Sequence, residues 1–208
     1  MDDSIDHLVF ATNDLQKGID RIEALLGLST VPGGSHPGMG TRNALLALGP
    51  KCYLEIIGPD PEQSEFQGTR IFGIDTIGQG KLVHWCIGRE GLTTFVQQMK
   101  SLGMKLSDVI PMSRVTEQGN RLDWELAFLT SFGEEPALPF FIDWGSSTHP
   151  ASECPEGAEL KRFEIRHPDP EIINGTLKAL SIEACAVEDS KFGLYALIKC
   201  PRGEVELF

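Results

Sequence analysis

Polar and apolar positions along the chain fall into one pattern that occurs three times. The first run, IDHLVFAT from Ile5 to Thr12, alternates and is rich in branched residues, which predicts a strand. DLQKGIDRIEALLG follows. Leu15, Ile19, Ile22 and Leu26 share one helical face, and Gly27 is placed to end the helix. VPGGSHPGMGT reads as a Gly/Pro-rich loop. NALLALG and KCYLEIIG then read as two strands joined by a turn at Gly49 and Pro50.

The second unit begins with KLVHWCIG. Its helix, GLTTFVQQMKSLG, sets Leu92, Phe95, Val96, Met99 and Leu102 on one face, with Gly103 at the stop. DVIPMSRV, RLDWELAFLT and PFFIDWG are the strands that follow. The third unit begins with ELKRFEIR. Asp169 is placed to cap a helix with Pro170 at its first position, and Ile172, Ile173, Thr176, Leu177 and Leu180 form the buried face. EACAVEDS, GLYALIKC and GEVELF close the unit.

Each unit is therefore a strand, a helix, and two or three further strands, a hidden internal repeat. Registration supports it. His7 precedes Leu15, His84 precedes Leu92 and Glu164 precedes Ile172, each by eight positions. The last strand of each unit carries an acid among apolar residues: Glu55, Asp143 and Glu206. The expected architecture is α+β, with paired βαβββ modules forming a curved, cleft-lining mixed sheet and a third partial module at the C-terminus. The expected divisions are 1–58 for the first module, 59–80 for a connecting segment, 81–146 for the second module, 147–158 for a linker and 159–208 for the third, degenerate module.

Successive residues of a strand point to opposite sides. His7 is thus expected to share a face with Ile5 and Val9, leaving Asp6, Leu8 and Phe10 on the other. A carboxylate at Glu55, between Leu54 and Ile56, costs several kcal/mol if desolvated alone, so it needs a partner or water. Two imidazoles and two carboxylates recur at matched places of units one and two. If the units pair about a pseudo-twofold axis, His7, Glu55, His84 and Asp143 converge on a site suited to a divalent transition metal, with positions left open for a substrate. The competing reading is satisfied core histidines and structural salt bridges.

Composition narrows the partners. The chain is 41% hydrophobic and 23% charged, ordinary for a globular protein, with a formal net charge of −12. That charge repels nucleic acid on average, though a local Arg and His cluster can still hold an anionic small molecule. No run approaches the ~18 apolar residues of a membrane span. MDDSIDHL lacks the basic and apolar regions of a signal peptide. Cys52, Cys86, Cys154, Cys185 and Cys200 are odd in number, widely spaced and without CxxC, which points to reduced thiols in a cytoplasmic protein.

IDHLVFATNDLQKGIDRIEALLGL resembles the opening of a βαβββ module of the vicinal-oxygen-chelate (glyoxalase/bleomycin resistance/dioxygenase) superfamily, and YLEIIGPDP resembles its closing strand. KLVHWCIG and FFIDWG resemble the same two places in a partner module. SHPGMGTRNALLALG followed by YLEIIGPDP resembles, more narrowly, the glyoxalase-like domain family. The resemblance covers residues 3 to 150, and 159 to 208 only as a degenerate further module. It implies metal ligands at His7, Glu55, His84 and Asp143, a divalent ion (Zn, Mn, Fe, Ni or Co), and catalytic roles for Glu55 and Asp143. Asp143 stands where the glyoxalase enzymes usually have a Glu that also serves as base. Glu164 stands where a His would sit in the third unit, so no transition metal is expected there.

The HPGMGTRN loop is a second candidate. Gly38 and Gly40 permit backbone shapes that let amides approach a ligand, and His36 and Arg42 are candidates to hold a carboxylate or phosphate. A plain connecting loop with an outward Arg is the alternative. Arg114 is a candidate substrate contact, and Trp124, Trp144 and His149 could line the same cleft. By alternation from Asp143, Trp144 reads more as core. His149 reads as solvent-facing and His167 as surface. There is no Ser/His/Asp nucleophile set, no P-loop and no HExxH.

The leading functional expectation is a metal-dependent lyase, isomerase or dioxygenase-type enzyme acting on a small, oxygen-rich and potentially anionic metabolite. The alternatives are a metal-free protein of the same fold that binds or sequesters a small molecule, as resistance proteins do, and an interaction module with a vestigial cleft. The third unit, with a sheet face to cover, is expected either to pair in a homodimer or to pack as a half-module on the main body.

Overall fold

In the computed structural model, residues 4–116, 119–130 and 136–208 are described; residues 1–3, at which the first module was expected to open, lie outside them. The first unit gives β1 (Ile5–Ala11), α1 (Leu15–Leu26), β2 (Val31–His36), β3 (Thr41–Gly49) and β4 (Cys52–Pro59). The second gives β5 (Lys81–Gly88), α2 (Leu92–Ser101), β6 (Ile110–Val115), β7 (Arg121–Ala127) and β8 (Phe140–Asp143). The third gives β9 (Glu159–His167), α3 (Pro170–Ala179), β10 (Ala186–Glu188), β11 (Gly193–Cys200) and β12 (Gly203–Leu207).

Units one and two form one curved, nearly closed sheet in the order β2-β3-β4-β1-β5-β8-β7-β6. In each half the first strand runs parallel to the last: β1 with β4, and β5 with β8. The halves join through antiparallel β1 and β5, with Val9 opposite His84 and His7 opposite Cys86. The far edges nearly meet, since a Cβ on Gly34 of β2 would lie 3.4 Å from the Val115 carbonyl of β6. β2 was read as loop. Its Pro32 is tolerated because the strand is an edge, and Gly33 is needed because a Cβ there would lie 2.0 Å from Asn43 Oδ1.

Helices α1 and α2 cover the convex face. Ile22 and Leu26 of α1 and Leu92, Phe95, Val96 and Met99 of α2 pack with Leu8, Phe10, Leu54, Ile56, Trp85 and Ile87 of the strands. Leu102, expected on that apolar face, lies beyond the end of α2 and is 69% exposed.

The third unit keeps the expected element order but not the pairing. Its sheet runs β10-β9-β11-β12, with β9 parallel to β10 and antiparallel to β11, so its first and last strands are not neighbours. Its helix-side face (Ile165, Ile173, Leu177, Leu194, Ala196 and Ile198) joins the same core as α1, α2 and Trp85, and the Phe163 ring packs at a tilt on Trp85 with centroids 5.1 Å apart. The unit thus packs on the main body. Its opposite face is polar: Arg162 and Arg166 pair with Glu164, and Arg166 lies over the Tyr195 ring. That face does not need an apolar cover. Ile172, expected to be buried, is 53% exposed. Among the described residues no helix is long and apolar enough to cross a membrane, and the five cysteines are free.

Candidate functional site

The concave face of the large sheet encloses a cavity of about 280 Å³. Its lining is mostly apolar and aromatic, from Tyr53, Trp124, Phe128, Phe140, Trp144 and the connecting-segment residue Phe72. The polar groups on it are few: His7, His36, Thr41, Asn43, Glu55 and Arg114.

His7 and Glu55 meet on the cavity floor. They sit on parallel neighbours β1 and β4, and His7 Nε2 lies 3.9 Å from Glu55 Oε2. The His7 ring stacks on Tyr53, with centroids 4.6 Å apart. Glu55 Oε1 accepts a hydrogen bond from Asn43 Nδ2 at 2.6 Å, while Asn43 Oδ1 is buried against Gly33 without a hydrogen-bond partner.

Behind His7 stands Asp6, which strand alternation placed on the other face. The pairing of β1 with β5 skips a step there: Ile5 faces Ile87 and His7 faces Cys86. Such a skip breaks alternation and re-aims the extra side chain. Asp6 Oδ1 accepts from His7 Nδ1 at 2.7 Å; Oδ2 accepts from Trp144 Nε1 at 3.0 Å and from His149 Nε2 at 3.1 Å. Burial alone would raise the Asp6 pKa, but hydrogen bonds from His149 and His7, with the fields of both rings, hold it down to about 2. His149, read as solvent-facing, is therefore tied to the network by this carboxylate, and its Nδ1 accepts from the Ala151 amide.

The expected four-residue metal cluster is not brought together. Register explains why. Glu55 pairs with Val9, two positions beyond His7; the residue paired with Cys86, two positions beyond His84, is Phe140. The place matched to Glu55 is held by a phenyl ring. Asp143, three positions further along β8, caps α2 instead. Its carboxylate accepts from the amides of Gly91 at 2.8 Å and Leu92 at 3.3 Å, and from Gly145 at 2.9 Å. Gly91 at the start of α2 has no side chain to cap those orphan amides, so the neighbouring strand supplies the acid.

His84 is near His7 but screened from the cavity. Phe140 packs against both imidazoles, with centroids 5.3 Å from His7 and 5.0 Å from His84, and Phe72 covers His84 at 5.6 Å. His84 lines a separate groove of about 890 Å³ on the far side of these rings. Burial pulls its pKa down to about 4 against the hydrogen bond with the Trp85 backbone. Its Nδ1 is engaged there in either tautomer, 3.0 Å from the Trp85 amide nitrogen and 3.2 Å from the carbonyl oxygen. Among the described residues no group of three or more His, Cys, Asp or Glu is arranged to hold a metal ion. With Phe140 in the fourth place and packed against both imidazoles, and Asp143 spent on the start of α2, only His7 Nε2 and Glu55 Oε2 remain together on the floor, two donors where a divalent metal needs at least three from the protein.

The loop candidates divide. His36 lines the cavity, hydrogen-bonded through Nδ1 to Thr41 Oγ1 at 3.0 Å, and burial lowers its pKa. Arg42 does not reach the cavity. Thr41 and Asn43 on either side of it face in, so Arg42 faces out, 3.7 Å from Asp60 and 3.8 Å from Glu62. The Gly38 and Gly40 amides are not offered to a ligand either; both donate to Gln63 Oε1, at 2.9 and 3.2 Å. Gln63 lies in the connecting segment, and nothing in its polar surroundings marked it as the loop's partner. Arg114 of β6 does line the cavity and is 7% exposed. His167 accepts from the Asp169 amide at the start of α3, where the Asp169 side chain makes no cap bond.

Two βαβββ modules joined through their first strands around an internal cavity define the vicinal-oxygen-chelate class of proteins. Within that class the chain belongs to the glyoxalase-like domain family, which it matches over residues 5–181. It is similar in fold to a hypothetical protein from Staphylococcus aureus at 14% identity, over 96% of this chain and 92% of that one, with a TM-score of 0.74. A hypothetical protein from Bacillus halodurans is 20% identical over 71% of this chain and 99% of that one, with a TM-score of 0.51. A methylmalonyl-CoA epimerase from Streptomyces coelicolor is 18% identical over 69% of this chain and 96% of that one, with a TM-score of 0.49. A comparison with curated proteins finds no match.

Proposed function

We propose that the chain is an isomerase-type enzyme that moves a proton on a small organic substrate in the sheet cavity, with His7 and Glu55 carrying the proton. The observation that supports this is the run Glu55–His7–Asp6 at the cavity floor, in which a buried carboxylate holds the imidazole from behind. Asp6, kept anionic, accepts a hydrogen bond from His7 Nδ1 and so directs the Nε2 lone pair toward Glu55 and the cavity. An imidazolium formed by proton capture is stabilised by the same carboxylate. In the step itself, a C–H bond beside a carbonyl breaks and an N–H bond forms at Nε2. The electron pair moves onto the carbonyl oxygen, and return of a proton to that same carbon, as the carbonyl re-forms, closes the cycle.

Of the reaction types implied by the resemblance (lyase, isomerase, dioxygenase), isomerisation is the one that these side chains can perform as they stand. The metal-dependent form of that expectation is not carried forward, because the donor set does not fit an ion. Retention of a small molecule without turnover is the second reading, favoured by the largely apolar lining. One experiment separates them. Incubation in D2O with small 2-oxo and 3-oxo carboxylates is expected to wash deuterium into the carbon beside the carbonyl. His7→Gln is expected to slow this by about 100-fold or more. Thermal stabilisation by these compounds without any exchange would favour the binding reading instead.

A further inference from the structure

We propose that the cavity takes a monocarboxylate with a ring-bearing apolar body, its carboxylate on Arg114 and its ring between the aromatic walls. This deepens the proton-transfer reading and rests on it for the cavity being the working site.

Arg114 is the key. It is 7% exposed and lines the cavity, yet among the described residues it makes no hydrogen bond and has no carboxylate oxygen within 4.0 Å. A guanidinium stays charged; Glu55 and Glu153 act on it only at a distance, and its nitrogens are not sealed from the cavity, so an anion entering there can pair with it directly. The facing strand puts no side chain against it. Gly34, across the seam on β2, has a left-handed φ of 141° and no side chain; a Cβ there would lie 3.5 Å from Arg114 Nη1. Glu55 faces the same cavity and opposes a second negative charge, which points to a single carboxylate rather than a dianion.

The remaining wall is aromatic. Trp124 and Trp144 pack 5.4 Å apart, and Phe128 stacks on Phe140 at 5.3 Å. A planar ring finds edge and face contacts there that a short aliphatic acid does not. The volume, about 280 Å³, sits at the small end of ligand pockets, suiting a single ring with a short side arm.

The test uses the full chain with phenylacetate, phenylacetamide and acetate as probes, followed by calorimetry and by the fluorescence of Trp124 and Trp144. Phenylacetate is expected to bind about tenfold or more tighter than either other probe. Arg114→Met is expected to lose about tenfold for phenylacetate while leaving phenylacetamide within about twofold. Equal binding of acid and amide, no saturable binding of phenylacetate, or unchanged affinity in a folded Arg114→Met overturns the proposal. If Arg114→Met does not fold, the wild-type acid-to-amide ratio decides alone. Probe binding is read without any turnover of the probe. Failure of the deuterium test therefore leaves the ligand class standing, and equal binding of acid and amide removes the ligand class without touching the deuterium test.

Discussion

The two halves of the large sheet share one frame and have opposite chemistry. In the β1–β4 half, the parallel pair of first and last strands carries His7 and Glu55, 3.9 Å apart, on the cavity floor. In the β5–β8 half, the matched pair carries His84 and Phe140, and the ring of Phe140 packs against both histidines. One half supplies acid and base; the other supplies aromatic walls and, from β6, a buried cation. The comparison teaches that a duplicated frame fixes where side chains converge but not what they are. A phenyl ring at one carboxylate position leaves, in place of a potential four-donor centre, a histidine and a carboxylate beside an apolar wall.

The comparison breaks most visibly at Asp6, which has no counterpart in the other half: Val83, immediately before His84, is apolar. Asp6→Ala leaves the His7, Trp144 and His149 donors without their shared acceptor in a buried place. A loss of about 3–5 kcal/mol is expected from denaturant unfolding, together with loss of deuterium exchange. A stable Asp6→Ala that still exchanges would remove Asp6 from the account.

A second effect belongs to the β5 half. His84 takes up a proton near its ordinary value of 6.5 when unfolded but only at about 4 in the fold, because burial disfavours the cation. The unfolded chain therefore binds more protons between these values, so stability is full above pH 6.5 and declines as pH falls toward 4. A decline of about 3 kcal/mol is expected from His84, and His36, also lowered by burial, adds to it. Asp6 acts lower, its contribution being lost only as pH falls through the range from 3.8 to about 2. Urea midpoints measured across pH should show the upper slope shrink in His84→Phe. An unchanged slope would contradict the screened, neutral state of that ring.

The smallest effect sharpens the role of Asp143. As a cap on α2 it is expected to cost about 1 kcal/mol when replaced by Ala, with phenylacetate binding and deuterium exchange unaltered. Loss of exchange at full stability would return Asp143 to the site.

Much of this frame was legible in the sequence, because helix and strand periodicities and the matched offsets of His7 and His84 are local features. Register was not. Asp143 stood out as the one acid in FFIDW, yet the pairing of β8 with β5 places Phe140 opposite the decisive position, three residues earlier. Asp6 was hidden for a related reason: alternation assigns it to the helix side, and only the skipped step between β1 and β5 turns it toward His7. The third unit shows the same limit at larger scale. Its element order repeats that of the others, but β9 pairs with β10 and β11 rather than β12, so Glu164 and Glu206 lie on strands that are not neighbours.

Imidazole nitrogen resonances of His7 and His84, followed while zinc is added to the chelator-stripped protein, bear most directly on whether this is an acid–base cavity and not a metal centre. His7 should keep its proton on Nδ1, toward Asp6, with neither ring showing a saturable one-to-one response. Joint, stoichiometric loss or shift of both signals would mean that the two histidines close on a shared ion, and that the aromatic partition between them does not hold.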